Sequence, residues 1–225
     1  MKYCIINATD RAKDNVKNIK NKMKDFYFIN NIRYYTPKDN YLEYLEENNI
    51  KIELSDRYIV LDTNIAYWAS TVSVWNYIVD NNIDKFLVFE DDSVLKDNFV
   101  DIYNKCITDL PEDFDSLSLH TLKFDDLVQN VIRDECSIGS AYIHRALDVI
   151  AGAQAMVYSL KGAKKYLKLL QEYGINTNSD IGIFDHVRSG KIEGYILRPD
   201  IPEILTHGQF ESALDPENKR NVNFY

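Results

Sequence analysis

Cysteine is scarce in this chain. The 225 residues hold three, Cys4, Cys106 and Cys136, an odd number at wide spacing with no Cys-x-x-Cys pair. That usage excludes a disulfide scaffold and a thiolate zinc site, and it points to a reducing compartment. Long apolar runs are missing as well. No stretch approaches the roughly 20 residues of a membrane span, and the run at Met1–Asn7 is too short for a signal peptide. The expectation is a cytoplasmic chain with no transmembrane segment. Basic charge is also in deficit: 26 Lys and Arg against 35 Asp and Glu give a formal net charge of −9. Nucleic-acid binding needs bases gathered on one face. Here a weakly basic stretch, Arg11 to Lys24, stands against an acidic remainder, so nucleic acid is set aside as the main partner. Internal repeats and low-complexity linkers are absent too.

What is abundant is apolar and aromatic. Hydrophobic residues make up 45% of the chain, with 16 Tyr and 10 Phe, enough to build a substantial core and to exclude wholesale disorder. The length allows one large domain or two small ones; with no linker to divide it, a single domain over 1–225 is expected.

Strand and helix signals alternate. Tyr3–Asn7 reads as a buried strand, followed by a polar helix capped by Thr9 or Asp10 and running to about Lys24. Phe26–Ile29 reads as a strand, and a helix after Pro37 places Tyr41, Leu42 and Leu45 on its apolar face. A short strand is expected at Tyr58–Leu61. Trp68, Val72, Trp75 and Val79 recur at helical spacing. Lys85–Phe89 is apolar without alternation, as in a sheet covered on both faces. Asp97 is placed to cap a helix that Pro111 closes, with Phe99, Ile102, Tyr103, Cys106 and Leu110 inward. Strands follow at Ser116–His120, Ala153–Tyr158 and Gly194–Leu197. Between the last two lie a helix from a Ser159 cap to Gly174 and a short helix at Ser179–Arg188. The tail after Pro202 is expected to be irregular. The alternation implies an α/β fold with a mostly parallel central sheet flanked by helices.

The chemistry concentrates at Glu90-Asp91-Asp92, three acids directly after a buried strand. Open α/β sheets bind ligands at the carboxyl ends of their strands. Three carboxylates there repel unless a cation joins them, and in extended backbone Glu90 and Asp92 face one way. Oxygen ligands suit Mg²⁺ or Mn²⁺, which can bridge a nucleotide diphosphate. The plain alternative is a solvated acidic turn with helix-capping acids.

Phe86–Leu95 resembles the Leu-Glu-Asp-Asp signature of glycosyltransferase family 25, the family of lipooligosaccharide and collagen galactosyltransferases. Four more segments resemble that family in the same order: Ile5–Arg11, Ser70–Trp75, Pro111–Leu117 and Gly152–Leu167. Together they span most of residues 3–200. Two positions depart: Ser70-Thr71 stands where the family usually has Ser-His, and Tyr67 and Trp68 replace its Gly-Cys.

The resemblance implies a GT-A type fold that binds a nucleotide sugar, with a nucleotide-binding half at about 1–120 and an acceptor half at about 121–225. It implies donor contacts from Asn7, Arg11, Glu90 and Asp91. It implies a Mn²⁺ or Mg²⁺ ion on Asp92, with His207 as the C-terminal ligand. It also implies an inverting reaction with Asp180 as general base; the alternative for Asp180 is a helix N-terminal acid stabilised by the macrodipole, and Asp185 is the next carboxylate. Gln154 is placed to hydrogen-bond an acceptor sugar or to cap a strand end. His120 lines the same cleft or belongs to the core, and His144 and His186 read as structural. The expected partners are a UDP-sugar donor and a glycan or lipid-linked oligosaccharide acceptor, galactose or glucose being the sugar moved. The expected location is cytoplasmic or peripheral at the inner membrane surface. Two other classes stay open: a metal-dependent phosphoesterase or nuclease using the acidic triplet, and a catalytically inactive transferase acting as a glycan- or partner-binding module.

Overall fold

The protein is described by a computed structural model covering residues 1–6, 12–53, 62–120, 137–146, 153–198 and 200–207, the His207 side chain excepted. In chain order the elements are β1 (Lys2–Ile6), α1 (Lys13–Lys22), β2 (Tyr27–Phe28), α2 (Tyr41–Glu47), α3 (Asp62–Asp80), β3 (Lys85–Glu90), β4 (Ser93–Leu95), α4 (Phe99–Asp109), β5 (Ser116–Ser118), β6 (Ile143–Arg145), β7 (Ala155–Ser159), α5 (Leu160–Tyr173), α6 (Ser179–Arg188), β8 (Gly194–Leu197) and β9 (Leu205–His207).

Seven strands form one sheet in the order β2-β1-β3-β7-β5-β8-β6. β1 runs parallel to β2 and β3, and β5 parallel to β8. β7 is antiparallel to both β3 and β5, and β6 is antiparallel to β8. Five strands therefore point one way and two oppose them, the mostly parallel α/β sheet expected from the alternation of elements. β4 and β9 form a separate two-stranded ribbon.

Both faces of the sheet are covered, and β3 shows how its uninterrupted apolar run is used. Phe86 and Val88 face a core shared with α2, α3, α5 and α6, while Leu87 and Phe89 face a second core built by α1 and α4. Period-2 alternation is invisible in such a strand because both directions lead to hydrocarbon. Helix α3 is buried around most of its circumference, with Ala66, Trp68, Ala69, Val72, Val74, Trp75 and Ile78 all inaccessible. Trp75 stacks on Tyr166 of α5 at 4.8 Å and meets Tyr158 of β7 edge-on at 5.6 Å.

Helix α5 begins and ends where its residues dictate. The Ser159 hydroxyl accepts from the Gly162 amide at 2.9 Å, an N-cap bond. Gly174 closes the helix at φ +72°, a conformation that costs glycine little. Gly162 lies so close to the main chain of Asp115 that an added Cβ would sit 2.0 Å from the Asp115 carbonyl oxygen. Asp115 is fully buried, and its carboxylate meets Lys165 at 2.5 Å, Lys161 at 3.3 Å and the Glu193 amide at 2.8 Å. One acid thus ties the start of β5 to α5 and to the chain entering β8.

Several expectations need correction. Asp97 does not cap α4; Asn98 occupies that position without a side-chain bond, and Asp97 pairs with Lys22 of α1. Leu42 is 51% exposed, because α2 turns Tyr41 and Leu45 inward instead. The tail after Pro202 is not wholly irregular, since Leu205–His207 pairs with Ser93–Leu95. The Thr9 and Asp10 caps and the strand at Tyr58–Leu61 lie outside the described residues.

Candidate active site

β1, β3, β5 and β8 all deliver their carboxyl ends to the same edge of the sheet. There the Asp91 amide donates to the Ile6 carbonyl at 3.1 Å, which carries the pairing of β1 and β3 one step past Glu90. The Glu90 amide donates to the Gln154 carbonyl at 2.9 Å, and the Ser93 hydroxyl donates to that same oxygen at 2.8 Å. One carbonyl on the entry to β7 therefore pins both sides of the acidic turn. Gln154 itself is buried.

Behind the turn, α3 supplies a phenol. The Tyr67 hydroxyl donates to Glu90 Oε1 at 2.5 Å. The same helix holds the approach to α6: the Trp68 indole N–H donates to the Thr177 carbonyl at 2.8 Å, and Asn64 donates to the Asn178 side chain at 2.7 Å. Gly182 removes the obstacle to that packing, since a Cβ there would fall 2.6 Å from the Trp68 ring. These contacts bring the first turn of α6, with Asp180, toward the acidic turn.

The electrostatics record the convergence. Burial pushes the Glu90 carboxyl well above its ordinary range. The negative charges of Asp180 and Asp92 push it further and Asp91 adds to them, while the bond from Tyr67 acts in the opposite sense. Burial also raises the Tyr67 hydroxyl, with Glu90 and Asp180 adding to the shift, and Tyr158 senses the same two carboxylates. Glu90, Asp91, Asp92 and Asp180 thus lie within electrostatic range around two phenols.

The ribbon brings the C-terminal segment alongside. Ser93 pairs with His207 in the β4–β9 register, so the His207 backbone lies opposite the residue that follows Asp92. The His207 side chain, Asn7 and Arg11 lie outside the described residues. Among the described residues no three His, Cys, Asp or Glu side chains form a metal-holding group. Carboxylate oxygens such as those of Glu90, Asp91 and Asp92 are of the type a hard divalent cation takes, and a C-terminal strand lies beside them.

Asp185 lies away from this cluster. Five residues along α6 rotate it about 140° from Asp180, and its carboxylate pairs with Arg188 at 2.9 Å. His120 is buried just beyond β5, His144 is buried in β6, and burial followed by Lys191 lowers the proton affinity of His186. Tyr67 and Tyr158 carry no signal in the sequence that would pair them with Glu90; Tyr67 stands at one of the departures from the family pattern. Ser70, at the other, is absorbed in main-chain bonding. It accepts from the Tyr35 amide at 2.8 Å and donates back to the Ala66 carbonyl at 3.1 Å, while Thr71 donates to the Tyr67 carbonyl at 3.1 Å.

The sequence model described as glycosyltransferase family 25 (LPS biosynthesis protein) matches residues 3–182. No curated protein matches the chain. Among solved structures, galactosyltransferase LgtC in complex with donor and acceptor sugar analogs is 12% identical, with 93% of this chain and 87% of that one covered and a TM-score of 0.41. Mouse xyloside xylosyltransferase 1, in its apo form, is 8% identical, with 85% and 82% covered and a TM-score of 0.40.

Proposed function

Because the chain belongs to glycosyltransferase family 25, we propose that it is a metal-dependent inverting transferase moving galactose or glucose from a UDP-sugar to a glycan or lipid-linked oligosaccharide. The reading is carried by the gathering of Glu90, Asp91, Asp92 and Asp180 at one sheet edge. Its proposed setting is the cytoplasm, at the inner membrane surface; no helix among the described residues is long and apolar enough to cross a membrane.

In this reading Glu90 or Asp91 touches the ribose, and both, with Asn7 and Arg11, seat the nucleotide. Asp92 and His207 are the residues to hold Mn²⁺ or Mg²⁺. That ion, when bound, neutralises charge on the diphosphate leaving group. Asp180 takes the proton from the acceptor hydroxyl as its oxygen attacks the anomeric carbon. The bond from that carbon to the diphosphate oxygen breaks, and UDP departs with the electron pair. Attack from the face opposite the leaving group inverts the anomeric centre. Gln154, buried beside the acidic turn, orients the acceptor.

Thermal shift with UDP-galactose and UDP-glucose, with and without Mn²⁺, tests the donor. A ligand at 100 times its dissociation constant stabilises by about 2.7 kcal/mol. Asp92→Asn is expected to abolish the Mn²⁺-dependent part. Asp180→Asn is expected to keep donor binding and to lose transfer by at least about 10²-fold. A product with retained anomeric configuration, or near-parental turnover of Asp180→Asn, removes Asp180 from the mechanism.

A further inference from the structure

Two neighbours on α3 put their side chains to different uses. Trp68 is buried and spends its indole N–H on the Thr177 carbonyl. Tyr67 sends its hydroxyl to the acidic turn. The alternation of β3 explains the meeting. Phe86 and Val88 face the core shared with α3, and Glu90, two residues on, leaves the strand on that same side. There the phenol donates to Glu90 Oε1 at 2.5 Å. The second oxygen, Oε2, takes no hydrogen bond from the described residues. Asp91, by contrast, is buried, while Glu90 is half-buried.

We infer that Tyr67 is a positioning residue for recognition of the donor's ribose: it holds one oxygen of Glu90 so that the other is presented to a ribose hydroxyl. The inference rests on the transferase reading and chooses Glu90 over Asp91 as the ribose contact. An ionised carboxylate only accepts hydrogen bonds, and a hydroxyl of the sugar is a donor that fits it. Glu90 needs holding because its charged neighbours Asp180, Asp92 and Asp91 share its sign. Without the phenol, the side chain regains its rotamers and like charges favour turning it away from the other acids. Ordering it again when a nucleotide binds costs up to about tenfold in affinity. That cost falls only on a ligand with the hydroxyl to offer, so it changes the preference between ribose and deoxyribose.

The test is calorimetric titration of UDP, 2′-deoxy-UDP and 3′-deoxy-UDP in the presence of Mn²⁺. The proteins are the parent, Tyr67→Phe, Glu90→Gln and Tyr158→Phe. The parent is expected to prefer UDP over one of the deoxy forms by at least about tenfold. Tyr67→Phe is expected to cut that ratio by at least about threefold, and Glu90→Gln by as much or more. Tyr158→Phe removes a second phenol that senses the same carboxylates and is expected to keep the parental ratio. A purely structural role for Tyr67 would weaken all three nucleotides alike and leave the ratio where it was. Four results overturn the inference: no preference of the parent for UDP over either deoxy form, a parental ratio in Tyr67→Phe, a parental ratio in Glu90→Gln, or an equal fall in Tyr158→Phe. A parent protein that binds no UDP overturns the transferase reading and this inference with it. A parent that binds UDP, with its ratio unchanged in Tyr67→Phe, overturns the inference and leaves the reading standing.

Discussion

Replacing Tyr67 by Phe deletes one oxygen and leaves the ring to fill the same space. That oxygen donates to Glu90, a carboxyl whose other charged neighbours among the described residues are acids. A hydrogen bond to a charged group is worth about 1.5–3 kcal/mol, and a neutral one about 1 kcal/mol. Glu90 is half-buried, which favours the lower part of the charged range, about 1.5–2 kcal/mol. The cost must also depend on pH. Folding raises the proton affinity of Glu90, so between its unfolded and folded values the native state binds the extra proton, and native stability falls as pH rises through that window. At the acid end Tyr67→Phe removes a bond to a neutral carboxyl and is expected to cost about 1 kcal/mol; at the alkaline end the cost is expected to approach 2 kcal/mol. Urea unfolding of the parent, Tyr67→Phe, Glu90→Gln and the double variant between pH 5 and 9, without metal, measures this as a coupling energy. Glu90→Gln should flatten the pH slope and reduce the effect of Tyr67→Phe. Additive costs of the two single variants across the pH range would refute the pairing.

Gly162→Ala sets two effects against each other: alanine favours helix by up to about 1 kcal/mol, but its Cβ would meet a buried carbonyl at 2.0 Å. Overpacking of that kind costs about 1–3 kcal/mol, and moving Asp115 also disturbs the Ser159 amide bond to its carbonyl. Net destabilisation of at least about 1 kcal/mol is therefore expected in urea, and a variant as stable as the parent overturns the close-approach account. His207→Ala is expected to weaken Mn²⁺ binding and to reduce its pH dependence between about 6 and 8, because only the neutral ring coordinates; overlaid titrations of variant and parent make His207 a bystander.

Much of the fold is legible where a local signal decides it. Ser159 and Gly174 mark both ends of α5, Ser179–Arg188 reads as a helix of the observed length, and Gly194–Leu197 is a strand as it stands. The direction of β7 is not legible. Ala155–Ser159 is buried throughout, and a strand packed on both faces carries the same apolar pattern whether its neighbours run with it or against it. The ribbon of β4 and β9 is hidden for another reason: three residues per strand are too few for a period to show. At the site, the acids after β3 announce themselves, whereas the nearness of Asp180 depends on Trp68, Thr177 and Gly182 fitting together across more than a hundred residues. No local pattern encodes that fit. The Tyr67–Glu90 bond is likewise a product of how α3 crosses the sheet.

The placement of β7 governs how the chain can be assembled. It lies between β3 and β5, so residues 1–120 by themselves make a three-stranded piece and a stray strand with a gap where a later segment belongs. The centre of the sheet is closed by a strand synthesised well after its two neighbours. On the ribosome, the apolar edges of β3 and β5 wait uncovered until Ala155–Ser159 emerges, an interval in which strand-addition partners other than β7 can compete. A split between the halves would leave each fragment with an open edge, and the two should recover native structure only when mixed, β7 entering between β3 and β5 while β5 enters between β7 and β8.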